Sequence, residues 1–180
     1  MSQCVIAVTG ISGVGKTSLL RELSSRVNFQ HMQASALIKA ARSTVAPVLQ
    51  TDELRQLGIG DNQQLLVGQF RREINSSVPL VVVDAHTLIE LPGRTELIQP
   101  CVFKDLGVSA MLFLIDEAEA IAQRRRSDNT RKRPLKEAKE ISLLQLEAEA
   151  QAARICRALG IPIKIFDRRS GQIPVDFFRL

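Results

Sequence analysis

The segment Gly10-Ile-Ser-Gly13-Val-Gly15-Lys16-Thr17 constrains what this chain can fold into more than any other. It fits the pattern G-x-x-x-x-G-K-[ST]. Before it lies a short, apolar, β-branched run, Gln3–Thr9, that reads as a buried strand. After it, Lys16–Val27 carries leucines at helical spacing. Each position of the pattern has a chemical reason. Glycines let the backbone wrap an anion with its N–H groups pointing inward, and the following helix adds its N-terminal partial positive charge. The lysine then reaches the β- and γ-phosphates of a nucleoside triphosphate, and the threonine hydroxyl ligates Mg²⁺. Gly10, Ser12, Gly13, Val14, Gly15, Lys16, Thr17 and Ser18 are therefore the expected contacts to ATP-Mg.

Strands and helices alternate along the rest of the chain. Phe29–Gln33 reads as a weak extended segment. Ser35–Val45 is helical and stops before Pro47, because the residue before a proline is pushed out of the α region. Thr51–Leu57 reads as a short helix, and Asp61–Ser77 as a longer one opened by Asp61 with Gln64 at capping-box spacing. Pro79–Asp84 and Met111–Ile115 are apolar enough for central strands. Asp116–Arg126 is a helix with acids first and arginines last, Ser127–Pro134 a loop, Lys136–Leu159 a long helix and Ile161–Phe166 a final strand. This order predicts a three-layer α/β domain with a parallel sheet, a P-loop NTPase fold in one domain over residues 1–180.

Asp84 ends its strand in the pattern of an acid that faces the nucleotide crevice and holds Mg²⁺ through water. His86, two residues on, is a candidate phosphate contact.

Composition narrows the setting. Cys4, Cys101 and Cys156 form no C-x-x-C pair, which argues against a disulfide framework or zinc site and for a reducing cytoplasm. No stretch approaches the ~20 apolar residues of a membrane span. The net charge is +5, and Arg124–Lys139 alone holds eight basic residues against Asp128 and Glu137. The basic character is therefore local. With no Trp or Tyr, the segment lacks the interleaved aromatics of a nucleic-acid stacking surface, so a polymer partner is disfavoured.

Four segments together carry a resemblance. Val8–Thr17, Asp52-Glu-Leu-Arg55-Gln-Leu57, Val83-Asp84-Ala85-His86 and Asp128-Asn-Thr130-Arg131-Lys-Arg133 resemble, in order and spacing, the signatures of the archaeal-type adenylate kinase family. The similarity runs from about residue 4 to residue 166. It implies a five-stranded parallel sheet with helices on both faces and a small acceptor-binding helical segment over about 30–75. A short lid over about 127–137 and transfer from ATP to a nucleoside monophosphate are further implications. Arg55 is then the acceptor-phosphate arginine, and the family resemblance implies a dimer or trimer. The chain departs from that family at Leu91–Pro100, which keeps only an outline of a proline- and glycine-rich stretch. A second departure is Ala150-Gln151, where the family places an arginine. Gln63, Gln64 and Gln99 are candidates to read a base edge.

In that setting the arginines have a task. Phosphoryl transfer spreads negative charge over equatorial oxygens, so guanidinium groups that arrive with both substrates lower the barrier. Arg124, Arg131 and Arg133 are the candidates, with Arg124 also able to stack on adenine. Arg125, Arg126, Lys132, Lys136 and Lys139 are expected on a solvated face. Two alternatives stay open: a P-loop kinase of a hydroxyl acceptor with Asp84 as base, and a nucleic-acid-associated ATPase.

Overall fold

A computed structural model of the chain describes residues 3–45, 59–91, 93–128 and 136–179. β1 (Cys4–Thr9) is its centre: Ile6, Ala7 and Val8 are wholly buried, so both faces of the strand are covered. It pairs in parallel with β3 (Leu80–Asp84) from Cys4↔Leu80 to Val8↔Asp84. On its other side it pairs in parallel with β6 (Ala110–Ile115) from Ile6↔Ala110 to Thr9↔Phe113. β2 (Gln30–Gln33) and β7 (Ile163–Asp167) complete a five-stranded parallel sheet in the order β2-β3-β1-β6-β7. The edge strands carry the polar residues, Gln30, His31 and Gln33 on one side and the exposed Lys164 on the other, as suits strands with one unpaired edge.

Six helices flank this sheet among the described residues: α1 (Lys16–Ser24), α2 (Ala34–Val45), α3 (Ile59–Glu73), α4 (Pro100–Asp105), α5 (Ala118–Ser127) and α6 (Ala138–Leu159). α6 buries Ile141, Leu144, Ala148, Ala152 and Ile155 along one stripe, and a capping box between Glu137 and Glu140 fixes its start. It ends at Gly160, whose left-handed backbone suits a helix C-terminus.

Some expectations shift. α3 runs over Ile59–Glu73 and not Asp61–Ser77, so Asp61 falls inside the first turn and does not open the helix. Its end has a visible cause. Gln30 Nε2 donates to Glu73 O at 2.8 Å while Gln30 Oε1 accepts from Asn75 N, and Asn75 Oδ1 then accepts from Ser77 N. α5 begins at Ala118 because Asp116 is held extended, its backbone N–H and C=O both bonded to the Gln145 carboxamide at 3.1 and 2.8 Å. The sequence alone predicts no element over residues 88–105. The structure places there an antiparallel hairpin, β4 (Leu88–Leu91) and β5 (Arg94–Leu97), followed by α4. The expected helix over Thr51–Leu57 lies outside the described residues, as does most of the loop expected over Ser127–Pro134.

Candidate functional site

The carboxyl ends of β1, β3 and β2 open onto one cleft of about 570 Å³. Three glycines shape its floor: Gly10, Gly13 and Gly15 have φ of 140°, 84° and 99°, a region where a side chain is strained. At Gly10 the chain also passes so close to β6 that a Cβ would lie 2.8 Å from Leu114 O. The turn then feeds directly into α1, whose first residues are Lys16 and Thr17.

The buried Lys16 lines this cleft. It donates to Gly10 O at 3.0 Å and lies 3.8 Å from Asp84 Oδ1, the carboxylate at the end of β3. His86 Nδ1 is 2.8 Å from the same Gly10 carbonyl, which only accepts, so Nδ1 carries the proton. Lys16 Nζ and His86 Nδ1, 3.4 Å apart, are then two donors converging on one acceptor. A phosphate oxygen offers both of them a stronger partner than a shared peptide carbonyl.

Ser12, Gly13, Gly15, Lys16, Thr17, Asp84, His86 and Arg124 are thus brought to one cleft, which Gln33, Ala34, Ser35 and Asp128 also line. Three expected contacts stand apart from its lining. Gly10 lies beneath it and supplies the carbonyl just described. Val14 is fully buried and its N–H donates to Ile11 O at 3.3 Å, and Ser18 is exposed in the first turn of α1. Arg124 stands at the rim, with Nη2 on the Asp116 carboxylate, Nη1 on Val14 O at 3.3 Å and Nε on Ala120 O at 3.1 Å. Arg55, Arg131 and Arg133 lie outside the described residues.

Two arginines hold places that no local sequence signal marks. Arg125, expected on a solvated face, is buried. Its Nη atoms make two parallel bonds to Glu90 at 2.7 and 3.0 Å, and its Nε donates to Ser12 O at 2.9 Å. The run of three arginines hid this, since a helix turns by 100° per residue and sends each one to a different side. Arg126 and Lys139 are exposed. The second is Arg168, in a 3₁₀ turn after β7, which donates to Gly15 O at 2.6 Å. No sequence motif marks it.

A second chamber adjoins the first. It is a smaller, mainly apolar cavity of about 180 Å³ walled by Ile38 of α2, Leu66 of α3, Ile89 and Ile98 of the hairpin region and Phe103 of α4. Asn62 and Gln63 are its carboxamides, while Gln64 and Gln99 are not part of its lining. Ala34, Ser35 and His86 line both chambers and form the threshold between them.

Among the described residues no three His, Cys, Asp or Glu side chains gather into a metal cage. The donor set at the cleft, a Thr17 hydroxyl and one carboxylate at Asp84, fits Mg²⁺. That ion keeps waters and takes its remaining ligands from substrate phosphates rather than from an all-protein site.

A parallel sheet that delivers a glycine turn, a lysine and a strand-end acid to one cleft defines the class: a P-loop nucleotide-binding phosphotransferase. Residues 9–142 match the model of a family described as AAA domain, and the chain belongs to that family. It is similar to the adenylate kinase of Methanococcus aeolicus, 26% identical over 96% of this chain and 93% of that protein. It is likewise similar to the adenylate kinase of Thermoplasma acidophilum, 28% identical over 92% of this chain and 90% of that one. Its fold resembles the solved shikimate kinase of Bacteroides thetaiotaomicron, with a TM-score of 0.56 and 18% identity over 91% of this chain and 86% of that one. The kinase family, its use of ATP and its nucleotide-binding cleft follow. Among the described residues no helix is long and apolar enough to cross a membrane.

Proposed function

We propose that the protein is a nucleoside monophosphate kinase, moving the γ-phosphate of ATP to a nucleoside monophosphate. The observation that supports this reading is the meeting of two helix N-termini at one cleft. α1 begins there with Lys16 and Thr17, and α2 begins there with Ala34 and Ser35. Each helix start is a ready anion site, so the cleft suits two phosphates side by side. The apolar chamber lies beyond the second of them, where a nucleobase would follow its own phosphate.

In this reading the glycine loop and Lys16 hold the β- and γ-phosphates of ATP. Thr17 and Asp84 would hold Mg²⁺, and the bound ion would neutralise phosphate charge. His86 and Arg55 bind the acceptor phosphate. Arg124, Arg131 and Arg133 balance the charge that spreads over the transferred group. A monophosphate oxygen is already a nucleophile, so no strong base is needed.

A second reading has its own support. The described lining of the apolar chamber holds no lysine or arginine, which would suit a neutral acceptor whose hydroxyl is deprotonated by Asp84. One experiment separates the two. Mg·ATP is incubated with a panel of ribo- and deoxyribonucleoside monophosphates, and diphosphate products are separated by chromatography. Turnover with one of them that Lys16→Ala abolishes is the expected result. A panel that stays inert eliminates the first reading. Asp84→Asn then tests the second, in which chemistry stops outright rather than demanding more Mg²⁺.

A further inference from the structure

Three charged side chains are buried among the described residues: Lys16, Asp84 and Arg125. The first two belong to the phosphate cleft, and Arg125 is left without a task. Desolvating a guanidinium is costly, and a buried ion pair often stabilises a fold no more than apolar packing of the same shape. Its value therefore lies in what it holds in register.

Arg125 touches three things at once. Its stem runs under the glycine loop, with Cγ 3.0 Å from where a Cβ on Gly13 would stand. Its Nε donates to the Ser12 carbonyl of that loop, and both Nη atoms are spent on Glu90 of β4. Successive residues of a strand point to opposite faces. Ile89, next to Glu90, accordingly lines the apolar chamber. The same hairpin is fastened to α6 by Thr95 Oγ1 on Glu147 Oε1 at 3.0 Å and by Gln151 Nε2 on Ile98 O at 2.8 Å. One guanidinium thus joins the floor of the phosphate cleft to the wall of the neighbouring chamber.

We propose that Arg125 is a positioning residue that locks the phosphate loop to the β4–β5 hairpin through Glu90, so that nucleotide on the loop tightens the wall of the apolar chamber. By linkage, an occupied chamber favours nucleotide on the loop by the same factor. The inference rests on the donor half of the proposed function, binding of Mg·ATP at the loop, and is independent of the acceptor's identity.

The test is hydrogen exchange, followed by mass spectrometry, on the full chain with and without Mg·ATP. In the unmodified protein, Mg·ATP slows exchange both in the loop peptide over 10–18 and in the hairpin peptide over 88–98, the latter by about 5-fold or more. In Glu90→Gln the loop peptide still responds and the hairpin peptide no longer does. Arg125→Lys, which keeps the charge but cannot bond Ser12 and both Glu90 oxygens together, gives the same uncoupling and serves if Glu90→Gln folds poorly. A purely structural pair predicts something else: faster exchange throughout the sheet, with the hairpin's response to Mg·ATP intact. That pattern overturns the proposal, as does a hairpin in the unmodified protein that ignores bound nucleotide. A loop peptide that itself ignores Mg·ATP overturns the donor reading and this inference with it.

Discussion

The Arg168 guanidinium donates to the carbonyl of Gly15 at 2.6 Å across 153 positions of the chain, and that carbonyl also accepts from Leu19 N at 3.1 Å as the first turn of α1 closes. A cation is thereby fixed at the positive end of a helix, an arrangement the empty site does not favour but a bound anion does.

Arg168→Ala should for this reason weaken Mg·ATP binding while sparing the ligand-free protein. A hydrogen bond from a charged donor contributes about 1.5–3 kcal/mol when well shielded. Arg168 is only half-buried, so about 1 kcal/mol, or roughly 5-fold in Kd, is expected. Calorimetric titration gives the affinity and a melting curve without ligand gives the Tm. An unchanged Kd would mean that the contact shapes the tail and not the nucleotide site.

Gly15 carries a second consequence of the same contact. At φ 99° a Cβ there would lie 2.0 Å from Arg168 Nη1 and 3.1 Å from Arg124 Nη1. Gly15→Ala combines backbone strain of about 1–2 kcal/mol with a collision against two side chains. The collision with Arg168 is removable and the strain is not. In the Gly15→Ala/Arg168→Ala double variant, stability should therefore recover part of the loss, a departure from additivity read directly from urea unfolding.

What the sequence made legible follows from how local each signal is. The strand, turn and helix around Gly10–Thr17 are specified by neighbouring residues, and so is the all-buried Leu80–Asp84 strand. These are the parts that read correctly. Asp84, Lys16 and His86 converge because parallel strands bring their carboxyl ends together, a rule of topology that needs no side-chain detail. Arg168 was beyond reach because its partner is at the other end of the chain. Arg125 looked like one member of a charge run, and only the hairpin, itself too short and mixed in composition to declare its strands, gives it Glu90. The helix end at Glu73 is set by Gln30, again a partner far along the chain.

Arg124 offers a double-variant test of who acts and who orients. Arg124 lines the cleft and its guanidinium is steered by the Asp116 carboxylate, while Gln145 clamps the Asp116 backbone. If Arg124 contacts nucleotide and Asp116 only aims it, Arg124→Ala lowers kcat/KM for ATP by about 10-fold or more, since a lost charge-assisted contact is worth at least ~1.4 kcal/mol. Asp116→Ala then produces a smaller loss. The combined variant should behave like Arg124→Ala alone, because the steering carboxylate has nothing left to steer. Additive losses would show instead that Asp116 acts on its own account.

Cys156 gives a pH signature free of the site. On the buried face of α6, with its thiol toward Met111 Sδ at 3.8 Å, it is pushed by burial to a pKa of about 11, against 9.0 for a free thiol. A group whose pKa is raised in the folded state keeps its proton there while the unfolded chain gives it up. Its stabilising contribution is therefore complete below about pH 9 and is lost as pH climbs towards 11. Between pH 8 and pH 10 the expected loss from this residue is about 1 kcal/mol. The chain has no Tyr, so no phenol titrates in the same window, though lysines do. The measurement is accordingly a difference: urea unfolding of the unmodified protein minus that of Cys156→Ala at each pH. The variant is less stable at pH 8 for want of packing, and the gap between the two should close by about 1 kcal/mol at pH 10. A gap that stays constant would show that the thiol ionises in place, in a pocket wetter than its packing indicates.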